Sequence, residues 1–212
     1  MTRLLINEVA PRDGLQMEKR FVPTHEKIAF VDALSDCGFA KIEVTSFTSA
    51  RAIPALVDAG IVMREIRRVP GVVYTALVPN LRGMERAIES GVDELNLVMS
   101  CSESHNVANL RRGRADSLAQ LLEIVREAGH GGVLCNVSLS CAFGCPFEGG
   151  ASGQAFAAAR TTCSRVASLI GRPSSSLKRC VAARSMQSRR SWNSKVSIGG
   201  ATFPFATRSA SR

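Results

Sequence analysis

A parallel α/β fold is what this 212-residue sequence predicts. Three observations carry the prediction. Short apolar runs rich in β-branched residues recur along residues 1–148, at roughly the 30-residue interval of a βαβ unit. The segments between them repeat their apolar residues at helical spacing. Charged and polar residues collect just past the apolar runs, which is where a parallel barrel keeps its chemistry.

The elements follow in order. "RLLINEVA" (3–10) is the first strand, and it runs into Pro11-Arg12-Asp13-Gly14. That tetrad reads either as a surface turn of ordinary turn formers or as the rim of an active site. "THEKIAFVDALSDCG" (24–38) is a helix with Thr24 as N-cap after Pro23, a stripe of Ile28, Val31 and Leu34, and a stop at Gly38. "KIEVTSF" (41–47) is the second strand, and residues 50–68 are a helical region containing Pro54. "GVVYTALVPN" (71–80) is the third strand, "LRGMERAIESG" a short helix and "DELNLVMS" (93–100) the fourth strand. "DSLAQLLEIVREAG" (116–129) is an amphipathic helix on Leu118, Leu121, Leu122 and Val125, and "GGVLCNVSLS" (131–140) is the fifth strand.

Strands alternating with helices in this way indicate crossover connections and a parallel sheet. No Gly-x-Gly-x-x-Gly follows the first strand, which weakens a dinucleotide-binding reading. Instead Arg12-Asp13, Glu43 with Thr45-Ser46, Asn80, Ser100 to Ser102, and Ser138 with Ser140 fall at the ends of successive strands. Polar groups at the carboxyl ends of parallel strands are the arrangement of a (β/α)8 barrel active site, which favours the catalytic reading of Arg12-Asp13. Only five or so of the barrel's βα units are written in residues 1–148.

Bulk properties bound the function. Residues 1–148 hold 16 Lys+Arg and 18 Asp+Glu, a net of −2, and residues 149–212 hold 11 Lys+Arg and no acid, a net of +11. The whole-chain charge of +9 is therefore a property of the tail, and it does not make the first part a nucleic-acid binder. No apolar run is long enough to span a membrane, and no secretory signal is visible at the amino terminus. Seven cysteines without a repeated Cys-x-x-Cys fit reduced thiols in a cytoplasmic protein better than a disulfide framework. Cys141 and Cys145 bracket a tight turn with three residues between them, a poor zinc signature, and read as structural thiols. His25 and His105, the latter in a polar loop, read as exposed, and His130 as a helix-end residue.

The stretches "EVAPRDGLQMEK", "IEVTSF", "VPNLRGMERAIESGVDELNL" and "SLSCAFGCPFEG" together resemble the hydroxymethylglutaryl-CoA lyase family, within the superfamily of metal-dependent barrel lyases and condensing enzymes. The resemblance runs through residues 4–149, and the "PRDGLQ" and "GCPFEG" forms point to the lyase branch. It implies a (β/α)8 barrel, a divalent cation (Mg2+ or Mn2+), an acyl-CoA substrate and a homo-oligomer, with no specific nucleic acid and no membrane partner. The implied reaction cleaves 3-hydroxy-3-methylglutaryl-CoA to acetyl-CoA and acetoacetate. Such chemistry needs a base for the 3-hydroxyl proton, a cation to grip that hydroxyl, and a fixed positive group beside the thioester oxygen, where enolate charge builds. By resemblance Arg12 is that electrophilic group, Asp13 a metal ligand with a share in proton transfer, and Glu43 the catalytic glutamate. Gln16, Ser46 and Ser140, with Arg12, match substrate-binding positions. Glu43 reads alternatively as a plain ion-pair partner of Arg12.

The sequence then departs from the family. The family's later His-x-His metal ligands, an Asn beyond them and a glycine-rich loop with a catalytic cysteine are not written in these 212 residues. After Gly149 the text turns to 13 serines and nine arginines in residues 149–212. This reads as a basic Ser/Arg-rich tail, produced by a shift of reading frame near codon 149 or else a disordered segment. The expected consequences are an open barrel with unpaired edges and an exposed apolar interior, association or poor solubility, and little or no turnover. Competing functional readings are a lyase for another 3-hydroxyacyl-CoA and a non-enzymatic basic protein acting through its tail.

Overall fold

The computed structural model describes residues 5–150, 153–170, 196–198 and 201–203. Five strands, β1 (Asn7–Glu8), β2 (Lys41–Ser46), β3 (Val73–Leu77), β4 (Glu94–Ser100) and β5 (Leu134–Ser140), lie side by side in sequence order. Every neighbouring pair is parallel. With the helices between them they form a curled half-barrel of the (β/α)8 type. The helices are α1 (Thr24–Ser35), α2 (Ala59–Glu65), α3 (Leu81–Glu89), α4 (Glu103–Leu110), α5 (Arg114–His130) and α6 (Gly153–Ile170).

Side chains alternate between the two faces of a strand, so the register separates two layers. Ile42, Tyr74, Leu95, Leu97, Met99, Val137 and Leu139 face the helices and pack against Val31, Val62, Met63, Leu121, Ile124 and Val125. Burying each such side chain stabilises the fold by about 1.5–3 kcal/mol. The opposite face is polar rather than apolar, contrary to the sequence expectation. Glu43, Thr75 and Glu94 stand in register across β2, β3 and β4, and Asn96 with Asn136 and Ser100 with Ser140 across β4 and β5. Lys41 pairs with Glu94, and Asn136 Nδ2 donates to Asn96 Oδ1 at 3.1 Å. The inner face is thus lined largely by polar groups, several of them paired.

Several elements differ from the sequence reading for identifiable reasons. The first strand shrinks to two ladder residues because residues Ala10–Gly14 wind into a π-helical turn, with Pro11 at its start and unable to extend a ladder. Pro54 opens a 3-10 turn, Pro54–Leu56, and the following helix begins only at Ala59. Thr24 is the first residue of α1 rather than its cap, and its hydroxyl donates instead to Asp58 Oδ2 at 2.8 Å. Gly83 is buried at the start of α3, where a Cβ would meet the Phe47 carbonyl oxygen at 3.1 Å. A helix, α4, occupies the expected polar loop, capped by Ser102, whose Oγ accepts from the His105 amide. His105 is accordingly half-buried there and not exposed, whereas His25 is exposed and His130 closes α5.

After β5 the chain forms a short hairpin of β6 (Gly144–Cys145) and β7 (Gly149–Gly150). Helix α6 then packs on α5, with Val166 in the core and Cys163 and Ala159 against it. Strands β8 (Val196–Ile198) and β9 (Ala201–Phe203) pair with each other. Most of the basic Ser/Arg-rich segment, and with it the nucleic-acid alternative, lies outside the described residues.

Candidate active site

The site is built where β1 and β2 end. The π-helical turn is closed by the Leu15 amide, which donates to Ala10 O, and at its start the Arg12 and Asp13 amides both donate to Val9 O at 3.1 and 2.7 Å. Turns of this type recur at functional positions because they re-aim side chains out of a regular backbone. Glu8 braces the entry: its Oε1 accepts from the Val9 and Ala10 amides, both at 2.7 Å. From this platform Arg12 Nε donates to Glu43 Oε1 at 2.7 Å and Arg12 Nη1 to Asp13 Oδ1 at 2.7 Å. One guanidinium therefore joins two carboxylates that are 30 positions apart in sequence. A guanidinium carries five N–H groups, so these two bonds do not exhaust it.

Burial divides the trio. The Glu43 side chain is 7% exposed and Arg12 13%, while Asp13 is 48% exposed. The inner pair is held by its hydrogen bond, and the outer carboxylate is open to water or a ligand. Just beyond Glu43 the β2–β3 register slips at a bulge between Glu43 and Thr45. Ser46 closes the same strand end, its hydroxyl bonded to the Thr48 hydroxyl at 2.8 Å and accepting the Thr48 amide. Ser140 is half-buried at the carboxyl end of β5, its carbonyl accepting from the Cys101 amide at 2.8 Å. Gln16 lies in the 3-10 turn Leu15–Met17, and its Oε1 is buried without a hydrogen-bond partner. Burying an acceptor this way costs free energy unless something donates to it. Arg12, Asp13 and Glu43 thus form one bonded group, with Ser46 and Ser140 at the same end of the sheet.

Sequence reasoning missed Glu8 as a brace. Its signal is a carboxylate placed just before a Pro-led turn, whose free amides need acceptors.

The donors do not complete a divalent-cation site. Mg2+ and Mn2+ take several oxygen or nitrogen ligands in near-octahedral geometry. Among the described residues no group of three or more His, Cys, Asp or Glu is placed to hold a metal ion. Asp13 alone, with one oxygen already on Arg12, does not fit such an ion.

The HMGL-like family model matches residues 3–172. The chain belongs to the HMGL-like family. Members of this family generally depend on a divalent metal. The match runs past Gly149, where the legible motifs stop. Over 146 residues the chain is 43% identical to the hydroxymethylglutaryl-CoA lyase YngG of Bacillus subtilis, covering 69% of this chain and 49% of that protein. Over 149 residues it is 42% identical to the cytoplasmic 3-hydroxy-3-methylglutaryl-CoA lyase of Homo sapiens, covering 70% of this chain and 40% of that protein. It superposes with a TM-score of 0.73 and 42% identity on an HMG-CoA lyase of Acinetobacter baumannii solved with coenzyme A and 3-methylmalate, covering 78% of this chain and 55% of that one. The chain spans about half the length of the relatives it matches. No helix among the described residues is long and apolar enough to cross a membrane.

Proposed function

We propose that this chain carries the arginine–carboxylate half of a hydroxymethylglutaryl-CoA lyase site and does not by itself turn over. The observation that carries the reading is the 2.7 Å bond from Arg12 to the buried Glu43. Cleavage of 3-hydroxy-3-methylglutaryl-CoA to acetyl-CoA and acetoacetate places negative charge on the thioester oxygen. A guanidinium already locked by a buried glutamate meets that charge without reorganising. Glu43 then acts through Arg12, and Asp13 is the exposed carboxylate available for proton transfer. The donors among the described residues do not fit Mg2+ or Mn2+. Gln16, with its unmatched acceptor, and Ser46 and Ser140 are the polar contacts proposed for an acyl-CoA. The coenzyme A and 3-methylmalate in the Acinetobacter enzyme support that substrate class.

Residues 149–212 are then a departure in reading frame from a longer lyase, beginning near codon 149. The cytoplasmic assignment rests on thiol chemistry alone, since relatives carry both cytoplasmic and mitochondrial names. A homo-oligomer stays part of the proposal for an intact barrel.

Calorimetric titration of the full chain with 3-hydroxy-3-methylglutaryl-CoA tests the reading. Saturable binding is expected, weakened about tenfold or more in Arg12→Lys, which keeps the charge and loses the planar fork. Equal affinity in wild type and Arg12→Lys, with matching circular dichroism, contradicts the role given to Arg12.

A further inference from the structure

A second cluster of chemically able side chains lies at the other edge of the half-barrel, after β5. Cys141 has φ 59°, in the left-handed region, and turns the chain out of β5; residues 146–148 then reverse it, so that Gly144–Cys145 pairs antiparallel with Gly149–Gly150. Cys141 and Cys145 are neighbours in this turn, and their thiols interact. Cys145 is half-buried, its Sγ 2.9 Å from Ser102 Oγ, and it accepts the Phe147 amide at 3.4 Å. Burial pushes this thiol up, but hydrogen bonds from Ser102 and from the Phe147 and Glu148 amides outweigh it and hold Cys145 below the ordinary thiol range. The nearby Glu148 carboxylate opposes the shift without reversing it. Cys141, 1% exposed, is pushed the other way, chiefly by burial. One partner is thus a reachable, donor-stabilised sulfur, and the other a sheltered thiol that keeps its proton.

We propose that Cys145 is a peroxide-sensitive modification site and that Cys141 resolves it, forming a Cys141–Cys145 disulfide that locks the turn after β5. In the first step the Cys145 thiolate attacks one oxygen of a hydroperoxide. The O–O bond breaks, hydroxide leaves and takes up a proton, and Cys145 becomes a sulfenic acid. In the second step Cys141 sulfur attacks the Cys145 sulfur. The S–S bond forms, the S–O bond breaks, and the departing hydroxide leaves as water with the Cys141 proton. The peroxide is reduced by two electrons and the pair of thiols is oxidised by two. The lock sits directly against Ser140, at the carboxyl end of β5, and so couples oxidation to the sheet end that carries the polar site.

The full chain is treated with an equimolar amount of hydrogen peroxide, alkylated with N-ethylmaleimide and digested with trypsin. Peptide 127–160 contains Cys135, Cys141 and Cys145 and no internal Lys or Arg. The expected product carries a maleimide on Cys135 alone, has lost two hydrogens, and shows fragment ions that place the bridge between Cys141 and Cys145. In Cys141→Ser the sulfenic acid of Cys145 persists and is trapped by dimedone, and in Ser102→Ala the Cys145 reaction slows about fivefold. A peptide that keeps all its maleimides while exposed Cys37 is consumed overturns the proposal. So does a bridge that uses Cys135.

Discussion

Arg12, half-buried, and Lys27, buried, are two cations drawn in from the surface, and only one of them could be read in advance. Arg12 stands inside "PRDGLQ", where an arginine beside a carboxylate at a strand end already asks for a chemical reason. Lys27 stands in "THEKIAF" and looks like a solvated helix lysine. It is 3% exposed, and its Nζ donates to Ala55 O and to Asp58 Oδ1, both at 2.6 Å, above the Phe21 ring at 4.1 Å. Nothing local marks this, because Asp58 is 31 positions away and belongs to the break that Pro54 introduces. Removing one member of a buried pair leaves the other charge without compensation. Asp58→Ala is therefore expected to lower stability by about 3–5 kcal/mol in urea unfolding, and Lys27→Met combined with Asp58→Leu to recover most of it. A double variant no better than Asp58→Ala alone would show that the network, and not the stranded lysine, sets the cost. The Cys145–Ser102 contact was illegible for the same reason as Lys27, since the two residues are 43 positions apart.

At the scale of elements, strands and long helices were legible and joints were not. β2, β3, β4, β5 and α5 sit within a few residues of their sequence boundaries, because apolar periodicity is decided by burial against one continuous core. The π-helical turn, the bulge after Glu43 and helix α4 escaped, since each is stabilised by specific hydrogen bonds and not by a pattern. In α4 the decisive residue is Asn106, fully buried. Its Oδ1 accepts the Ser100 amide at 2.9 Å, and its Nδ2 donates to Arg112 O at 2.9 Å and Ser117 Oγ at 2.7 Å. That side chain ties the end of β4, the far end of α4 and the start of α5 together. Asn106→Leu strands those partners, at about 1–3 kcal/mol for each group left buried and unsatisfied. Hydrogen exchange should then show α4 amides losing protection before those of α5. Simultaneous loss across the whole domain would mean that α4 is not a separate joint.

At the scale of the molecule, the family and the barrel class were legible from a few motifs, and the sheet order and family match agree with them. The polar lining of the inner face was not. In Glu43, Glu94, Asn96 and Asn136 the sequence shows charged and amide residues inside strands, but only the register reveals that they share one face, where Arg12 binds Glu43, Lys41 binds Glu94 and Asn136 binds Asn96. That lining explains how a half-barrel holds its shape without an apolar floor. It also sharpens the functional claim, since Arg12, Asp13 and Glu43 are assembled while no metal-binding donor set is found among the described residues. The most direct test is turnover by the purified 212-residue chain, measured as acetoacetate released from 3-hydroxy-3-methylglutaryl-CoA with saturating Mg2+ or Mn2+. The account predicts no release above the rate of an Arg12→Gln control. Release at the rate of an intact lyase, abolished in that control, would contradict it and show that the site is complete in this chain.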